Sequence, residues 1–467
     1  VGQIWAIARQ MIAEGIRMRI ALVFIALLAL IVLGLPFSVE GDSSVAGRVQ
    51  NFMSFGLTGT SLLLGLLTIL LSRSVSEELV NRHIYMTATK PIARWQFIMG
   101  KWVGVMAINT TFLLFAGASI YGMVHYLKWS QPPVDPYDKQ ELEEQILVAR
   151  HARKVKPPDF RAPAEQEFER RKEEGYYGDR LKDLDVKYEL ADLTQKYEAA
   201  WRSVSYGEVR LFEFENILCE RSPDKFLQLR YKTNVEGYES DEVFRAAWIA
   251  GDPSKRTDVF QELTKHVVGR YHSVNIPTSC VAPDNTLLVQ FQNINPDKLN
   301  QNYGPHIQFM PEDEIELLFV VGSFEGNFSR LLVLMWCKLA YLGAFALLAT
   351  SILSFPVACL TSFTIYALAG MRGFIYESVE WSYETENMFA SVGDFLNVAL
   401  YYVVRTVGAV VPNFSAYDGV ETLVAGGNVS LVWVLQGVFW LGLVQTSIVL
   451  GLAMLLFHFR EVAEVSA

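Results

Sequence analysis

Long apolar runs open and close this chain, and a charged middle separates them. A helix needs about 20 apolar residues to cross a bilayer's hydrocarbon core. The first such run is Ile20 to Phe37, the second Phe52 to Leu71, and the third Trp102 to about Val124. From Leu331 to Met371 the only charge is Lys338, and the run is long enough for two helices. Ser354-Phe355-Pro356 is the natural break, because proline disfavours helix in the residue before it. A last run covers about Val432 to Phe457. These runs predict six spans. Phe395 to Val411 is also apolar, with Arg405 inside and Pro412 after it, and a seventh span there would put the termini on opposite sides. The pattern is read instead as a re-entrant or interfacial helix over 392–411.

Val1 to Met18 sets Ile4, Ile7, Ala8, Met11, Ile12 and Ile16 at helical spacing, with Arg9, Glu14 and Arg17 elsewhere. That suits a helix lying in a membrane interface, and the alternative is a simple extension of span one. Ile20 to Phe37 lacks a clear small-residue cleavage site, so it reads as a retained span, not a signal peptide.

The middle divides in two. Over 138–205 the sequence is charged and favours helix, with Leu142, Ile146, Leu147, Leu181, Leu184, Tyr188, Leu190, Leu193 and Tyr197 in a partial stripe. This predicts a helical hairpin with Pro157, Pro158 and Pro163 at or near its turn, against the alternative of a partly disordered linker. Over 206–325 the pattern turns to alternation in Val209–Phe214, Phe226–Tyr231, Leu287–Phe291 and Ile315–Val321. Strands at such spacing predict an antiparallel β-sandwich, of which the jelly roll is one form. The expected fold class is therefore an α-helical polytopic membrane protein with an inserted α+β domain. Its parts are 1–127, 128–329 and 330–467.

Composition agrees. Hydrophobic residues make up 51% and charged residues 19%, with a net charge of −10, which argues against nucleic-acid binding. The Lys/Arg bias of short loops sets orientation. Arg9, Arg17 and Arg19 precede span one, Arg73, Arg82, Lys90, Arg94 and Lys101 lie between spans two and three, and Arg460 follows the last span. The loop after span one has only Arg48 beside Glu40 and Asp42. The termini and the loop 72–101 are expected in the cytoplasm, and 128–329 outside.

No G-x-x-x-x-G-K-[ST] phosphate loop occurs, and no catalytic constellation or metal-ligand cluster is legible among the seven histidines. Enzymatic activity and a bound cofactor or metal are not expected. Cys219 and Cys280 both fall in the external part; they are a candidate disulfide, with two free thiols as the alternative. Lys338 carries two readings. It snorkels to the outer headgroups, or it faces a cavity and meets a cargo or an acid such as Glu377 or Glu380.

The most informative stretch is Ser72 to Gly104, SRSVSEELVNRHIYMTATKPIARWQFIMGKWVG. A short amphipathic helix is expected over Val75–Met86, broken by Lys90-Pro91. The bland reading is a basic loop that only sets topology. Ser76-x-Glu78, Asn81-Arg82-x-Ile84-Tyr85, Lys90-Pro91-Ile92-x-Arg94-Trp95 and Gly100-Lys101 resemble the loop of ABC-2-type exporter permeases. Those include the permease associated with nitrous-oxide-reductase maturation and gliding-motility permeases. Val411-Pro412-Asn413-Phe414-Ser415, Asp418, Gly426-Gly427, Trp433 and Phe457-His458-Phe459-Arg460 extend the resemblance. It covers roughly the first 125 and last 140 residues; Val80 and His83 stand where an acid and a threonine are usual. The resemblance implies a coupling loop that docks on a separate ATPase, through Glu78, Arg82, Ile84, Tyr85, Lys90, Pro91 and Arg94. It further implies a dimeric ATPase that binds the ATP, a second permease copy or homologue, surrounding membrane lipid, a bacterial inner-membrane location and an external domain open to a partner outside. The competing class is a receptor or scaffold whose external domain binds a partner or glycan.

Overall fold

The computed structural model describes residues 2–17, 19–38, 44–80, 93–130, 138–139, 141–155, 157–177, 186–222, 225–239, 242–255, 257–296, 304–309, 315–384, 401–402, 404–406, 408 and 411–459. The chain forms two compact units. One joins Val1–Ala149 to Gly322–Ala467, and the other is Arg150–Val321. The protein is mostly helical, with an antiparallel β region confined largely to the second unit.

The helical unit begins with α1 (Gly2–Arg17) and α2 (Arg19–Ser38), the latter free of charge after its first residue. Next come α3 (Val45–Leu71), α4 (Arg73–Val80) and α5 (Arg94–Ser130). Five helices among the described residues are long and apolar enough to cross a membrane: Val45–Glu78, Arg94–Ser130, Phe324–Ile352, Phe355–Tyr376 and Leu431–Phe459. The break at Ser354-Phe355-Pro356 is present, since one helix ends at Ile352 and the next starts at Phe355. The loop 81–92 and most of 392–411 lie outside the described residues.

Small residues allow α1 to lie directly on α5. A β-carbon on Gly100 would come 2.7 Å from Ile7 Cβ, and one on Gly104 would come 2.6 Å from Met11 Cβ. The apolar stripe of α1 thus splits: Ile7, Ala8 and Met11 are buried against α5, while Trp5 and Ile16 are exposed. At the other end of α3, Ser44 accepts from Gly47 N, and both Asp138 carboxylate oxygens accept from Val45 N and Ala46 N at 2.9 and 2.8 Å. An anion at orphan N–H groups is where the helix dipole favours it.

Among the described residues, the second unit holds a helical pair, α6 (Arg161–Glu173) and α7 (Val186–Arg202), and ten strands. The helical hairpin is shorter than 138–205 suggested. Residues 141–146 form a π-helical turn whose Leu142 and Ile146 pack into the core of the helical unit, and Val148–Lys154 is a strand, β1. The turn of the pair lies after Glu173, so Pro157, Pro158 and Pro163 mark its entrance. Proline suits a first helical turn, where an N–H has no partner anyway.

The remaining strands are β2 (Ser203–Val204), β3 (Val209–Phe214), β4 (Phe226–Val235), β5 (Val243–Ala250), β6 (Phe260–Val267), β7 (Tyr271–Pro277), β8 (Leu287–Asn293), β9 (Ile307–Phe309) and β10 (Glu316–Ser323). One sheet runs β1-β10-β4-β9-β2 with β7 on β4, and the other runs β3-β8-β5-β6. Both contribute to one core, in which Leu229, Tyr231, Trp248, Val289, Phe291 and Leu317 are fully buried. Strict alternation produces this, as in β4, where Leu227, Leu229, Tyr231, Thr233 and Val235 all turn inward. Cys219 and Cys280 are free thiols at the margin of this core, so the candidate disulfide is not formed. Burial raises the pKa of both thiols above the usual range.

The short β6–β7 connection crosses from one sheet to the other and stacks His266 on His272, with ring centroids 4.2 Å apart. Trp248 Nε1 donates to Tyr231 Oη at 3.2 Å, so the Tyr231 hydroxyl proton is left for His266 Nδ1 at 2.5 Å. Burial, then the neighbouring His272, pushes the His266 pKa down to about 4. This lowered pKa keeps the folded imidazole neutral while an unfolded chain takes up a proton. Stability is therefore complete above about pH 6.5 and is lost as pH falls toward 4. Allowing for its partial exposure, the loss is about 2 kcal/mol. The thermal midpoint of the full chain, followed by far-UV circular dichroism, is expected to fall between pH 7 and 4, and His266→Gln to flatten that slope. An unchanged slope in the variant would assign the effect elsewhere.

Candidate functional site

The helical unit gathers its charge at the end where α3 runs into α4. Lys101, in the second turn of α5, has a side chain with no solvent exposure. An ammonium has three donors and no acceptor. Here they meet Glu78 Oε1 at 2.6 Å, Ser74 Oγ at 2.6 Å and Glu14 Oε2 at 3.5 Å. Ser74 Oγ donates in turn to Glu14 Oε2 at 2.6 Å, and Gln10 Nε2 donates to Glu78 Oε1 at 3.2 Å. The Phe97 ring lies 5.7 Å below the ammonium. Every donor of the buried cation is matched, which such burial requires.

The geometry joins three helices. Glu14 and Gln10 come from α1, Ser74 and Glu78 from α4, and Lys101 from α5. Helical spacing brings each pair to one face, since residues four apart stack one turn above each other. The same end holds further ties. The Arg73 guanidinium lies over the Phe355 ring at 5.8 Å, at the start of the helix Phe355–Glu384. Arg94 Nη1 donates to the His458 carbonyl at 2.7 Å, near the end of the helix Leu431–Phe459. Phe97 stacks on Phe457 at 5.5 Å.

This arrangement corrects one expectation. Glu78 was expected to face a partner, but it is 8% exposed and faces Lys101. Arg94 is exposed at the rim of this end. Arg82, Ile84, Tyr85, Lys90 and Pro91 lie outside the described residues, and the described part of the expected helix Val75–Met86 is α4. Sequence reasoning missed Lys101 as a hub and placed Glu14 only off the apolar stripe of the first helix, with no partner named. The signal available was a lysine at the very mouth of an apolar run, one position before Trp102.

Lys338 forms a second, separate site. It is the central residue of α8 (Phe324–Ile352), about 21 Å from the start at 1.5 Å per residue. It is 7% exposed, and its Nζ lies 3.5 Å from Asp418 Oδ1. The snorkelling reading is corrected: the helix starts well before Leu331, and the side chain is covered by protein. The acid it meets is neither Glu377 nor Glu380, whose side chains lie outside the described residues, but Asp418. Asp418 sits in the loop 411–430, which is held by Arg372 Nη1 to Val411 O at 2.7 Å, Phe414 N to Ala369 O at 3.1 Å and Val429 N to Asn327 Oδ1 at 2.7 Å.

Deeper in the bundle, Asn109 Nδ2 donates to Thr68 Oγ1 at 2.8 Å, and Trp336 Nε1 donates to Thr110 Oγ1 at 2.9 Å. No group of three or more His, Cys, Asp or Glu suited to a metal occurs among the described residues. Comparisons with protein-family models, curated proteins and solved structures give no match.

Proposed function

We propose that the chain is the membrane permease subunit of an ABC-type transporter, an exporter driven by a separate ATPase. In this reading α2 joins the five apolar helices as a sixth span. Both termini and the loop 72–101 face the cytoplasm of a bacterium, and Arg150–Val321 lies outside the inner membrane. Two copies, or one copy and a homologue, sit on a pair of ATPase subunits. The cargo is a lipid, glycan or lipoprotein.

One observation carries the reading: the base of the basic loop is fastened by the Lys101–Glu78 bond and the Ser74–Glu14 bond to α5 and α1. A loop that only set topology would have no need of a fully buried lysine paired to a buried carboxylate. A loop that receives a push needs a stiff attachment to the helices it moves, and paired, desolvated charges supply it. Arg82 and Tyr85 of the loop are assigned the contact with the ATPase. Glu78 is assigned to the attachment.

The test is co-purification of the full chain, expressed in its native membrane, with an ATPase subunit. The double change Arg82→Ala and Tyr85→Ala is expected to lower recovery of the ATPase at least about tenfold, as removal of interface anchors does, with membrane insertion unaffected. Unchanged recovery and unchanged ATP turnover would sink the coupling assignment. Absence of any associated ATPase would favour a receptor or scaffold.

A further inference from the structure

The two sheets of the second unit turn different outer faces away from their shared core. On the sheet that holds β4 and β7, the outward residues from Gln228 on are Gln228, Arg230, Lys232 and Asn234, beside Ser273 and Asn275. That is the polar surface of a solvated sheet. The outer face of β3-β8-β5-β6 is the reverse. Its register sets two rows across four strands: Val209, Gln292, Ala247 and Leu263, then Leu211, Gln290, Ile249 and Gln261. Leu211 is 56% and Leu263 68% exposed, and Val209, Val243 and Val259 are bare as well. A continuous apolar surface of this kind marks a place that another body covers.

Composition narrows what that body is. Gln261, Gln290 and Gln292 stand within the rows, and their side chains have no hydrogen-bond partner among the described residues. A hydrocarbon surface would leave those amides unpaired, at a cost. Neither row holds an aromatic ring on which a sugar could lie.

Charge narrows it further. Glu213 follows Leu211 along β3, and Lys265 follows Leu263 along β6, opposite Arg245. The registers put Glu213 and Lys265 at diagonal corners, three strands and six residues apart, about 14 and 20 Å. Neither is in an ion pair among the described residues; Lys255, which acts on Glu213 from a distance, bonds Asp284 at 2.7 Å. A face with opposite charges at opposite corners is complementary to itself when a second copy is turned over onto it. The two-fold axis then lies in the face, from near Val209 to near Gln261. It sets Glu213 of each copy on Lys265 of the other, with strands crossing steeply, as in orthogonal sheet packing.

Size fits a second copy held nearby. Four strands by seven residues is about 19 by 23 Å, roughly 450 Å² of flat area on each copy. Two such faces make a weak contact. A weak contact suffices where the copies share one assembly, because the effective concentration is high.

We propose that this face joins two copies of the chain through their β-rich units. The proposal rests on the two-copy permease reading for the nearness of the second copy.

The test is oxidative cross-linking of the full chain in its native membrane with copper phenanthroline, read by mass spectrometry of the linked peptides. Val209→Cys, near the axis, is expected to give a disulfide between two copies of the same peptide. Ser273→Cys, exposed on the polar sheet, is expected to give none. Glu213→Lys places like charges at both ends of the contact and is expected to lower the Val209→Cys yield at least about tenfold. Adding Lys265→Glu is expected to restore most of it, which a misfolded unit would not allow. No linked peptide at position 209, or equal yields at 209 and 273, would overturn the interface. So would a yield that Glu213→Lys leaves undiminished, or that Lys265→Glu fails to restore. ATPase recovery from the same membranes separates this proposal from the permease assignment. Linkage absent with the ATPase recovered removes the interface alone, while linkage present without the ATPase keeps the interface and removes the permease assignment.

Discussion

Lys101→Met is expected to destabilise the helical unit by about 3–5 kcal/mol, the range for removing one partner of a buried ion pair. Methionine keeps much of the stem but leaves Glu78, whose side chain is 10% exposed, facing no cation. Glu14 is 29% exposed and can turn to water, so most of the cost falls on Glu78. Adding Glu78→Met to Lys101→Met should recover much of the loss, because an apolar pair of similar volume often replaces a buried ion pair at little cost. Unfolding free energies of the four members of this double-mutant cycle, from denaturation in detergent, give the coupling energy. If the double variant is as unstable as the sum of the singles, the two residues are not coupled in the folded protein. The same samples test function. Under the permease reading, Lys101→Met loosens α4 from α5 and cuts ATP-driven transport, and the double variant restores stability without restoring coupling.

What the sequence made legible follows from periodicity. The apolar runs located each long helix, because a span needs an unbroken stretch and few side chains can replace it. The ends were underestimated. Span three was read from Trp102, yet α5 begins at Arg94, because its first turns are covered by α1 and tolerate polar residues there. Four strand segments were legible from alternation. Val243–Ala250 was not: Ala246, Ala247, Trp248 and Ala250 are all buried, so no simple in–out pattern survives. Val148–Lys154, with its Arg150, Arg153 and Lys154, reads as helical by charge and becomes a strand because β10 offers an edge to pair with. The ion network was illegible for a different reason. Glu14, Ser74 and Lys101 are 60 and 27 positions apart along the chain, and only the packing of α1 on α5 brings them together. The partner of Lys338 was missed for the same cause, since Asp418 reaches it from a loop.

The two ends of α3 differ in how they are secured. One end ends in the charge network of Lys101. The other is held by side chains bonded to main chain: the cap from Asp138, Gln50 Nε2 to Val424 O at 3.3 Å, and, in the loop beside it, Asn327 Nδ2 to Gly427 O at 2.7 Å. In the first, energy resides in side chains and is exposed to single substitutions of charge. In the second, main chain also approaches main chain closely at Gly426, so a glycine is a sensitive residue there.

Gly426→Ala is the second large effect expected. Gly426 closes the short helix α9 (Val420–Val424) with φ of +69°, a conformation that costs an L-residue roughly 1–2 kcal/mol. A β-carbon would also fall 1.7 Å from the Gln145 carbonyl oxygen, which belongs to the π-helical turn Glu141–Ile146. No side-chain rotation can relieve a clash with backbone, so the turn or the loop must shift. Leu142 and Ile146 on that turn share a core with Val420, Leu423 and Val424, and any shift opens it. Strain and repacking together are expected to cost about 2–4 kcal/mol. Gly451→Ala is the matched control. It lies inside the last helix with nothing within 4 Å of the new carbon, so alanine there is expected to stabilise by up to about 1 kcal/mol. Thermal midpoints of the two variants in the same detergent should therefore move in opposite directions. A Gly426→Ala midpoint at or above wild type would show that the turn and the loop are not packed against each other as described.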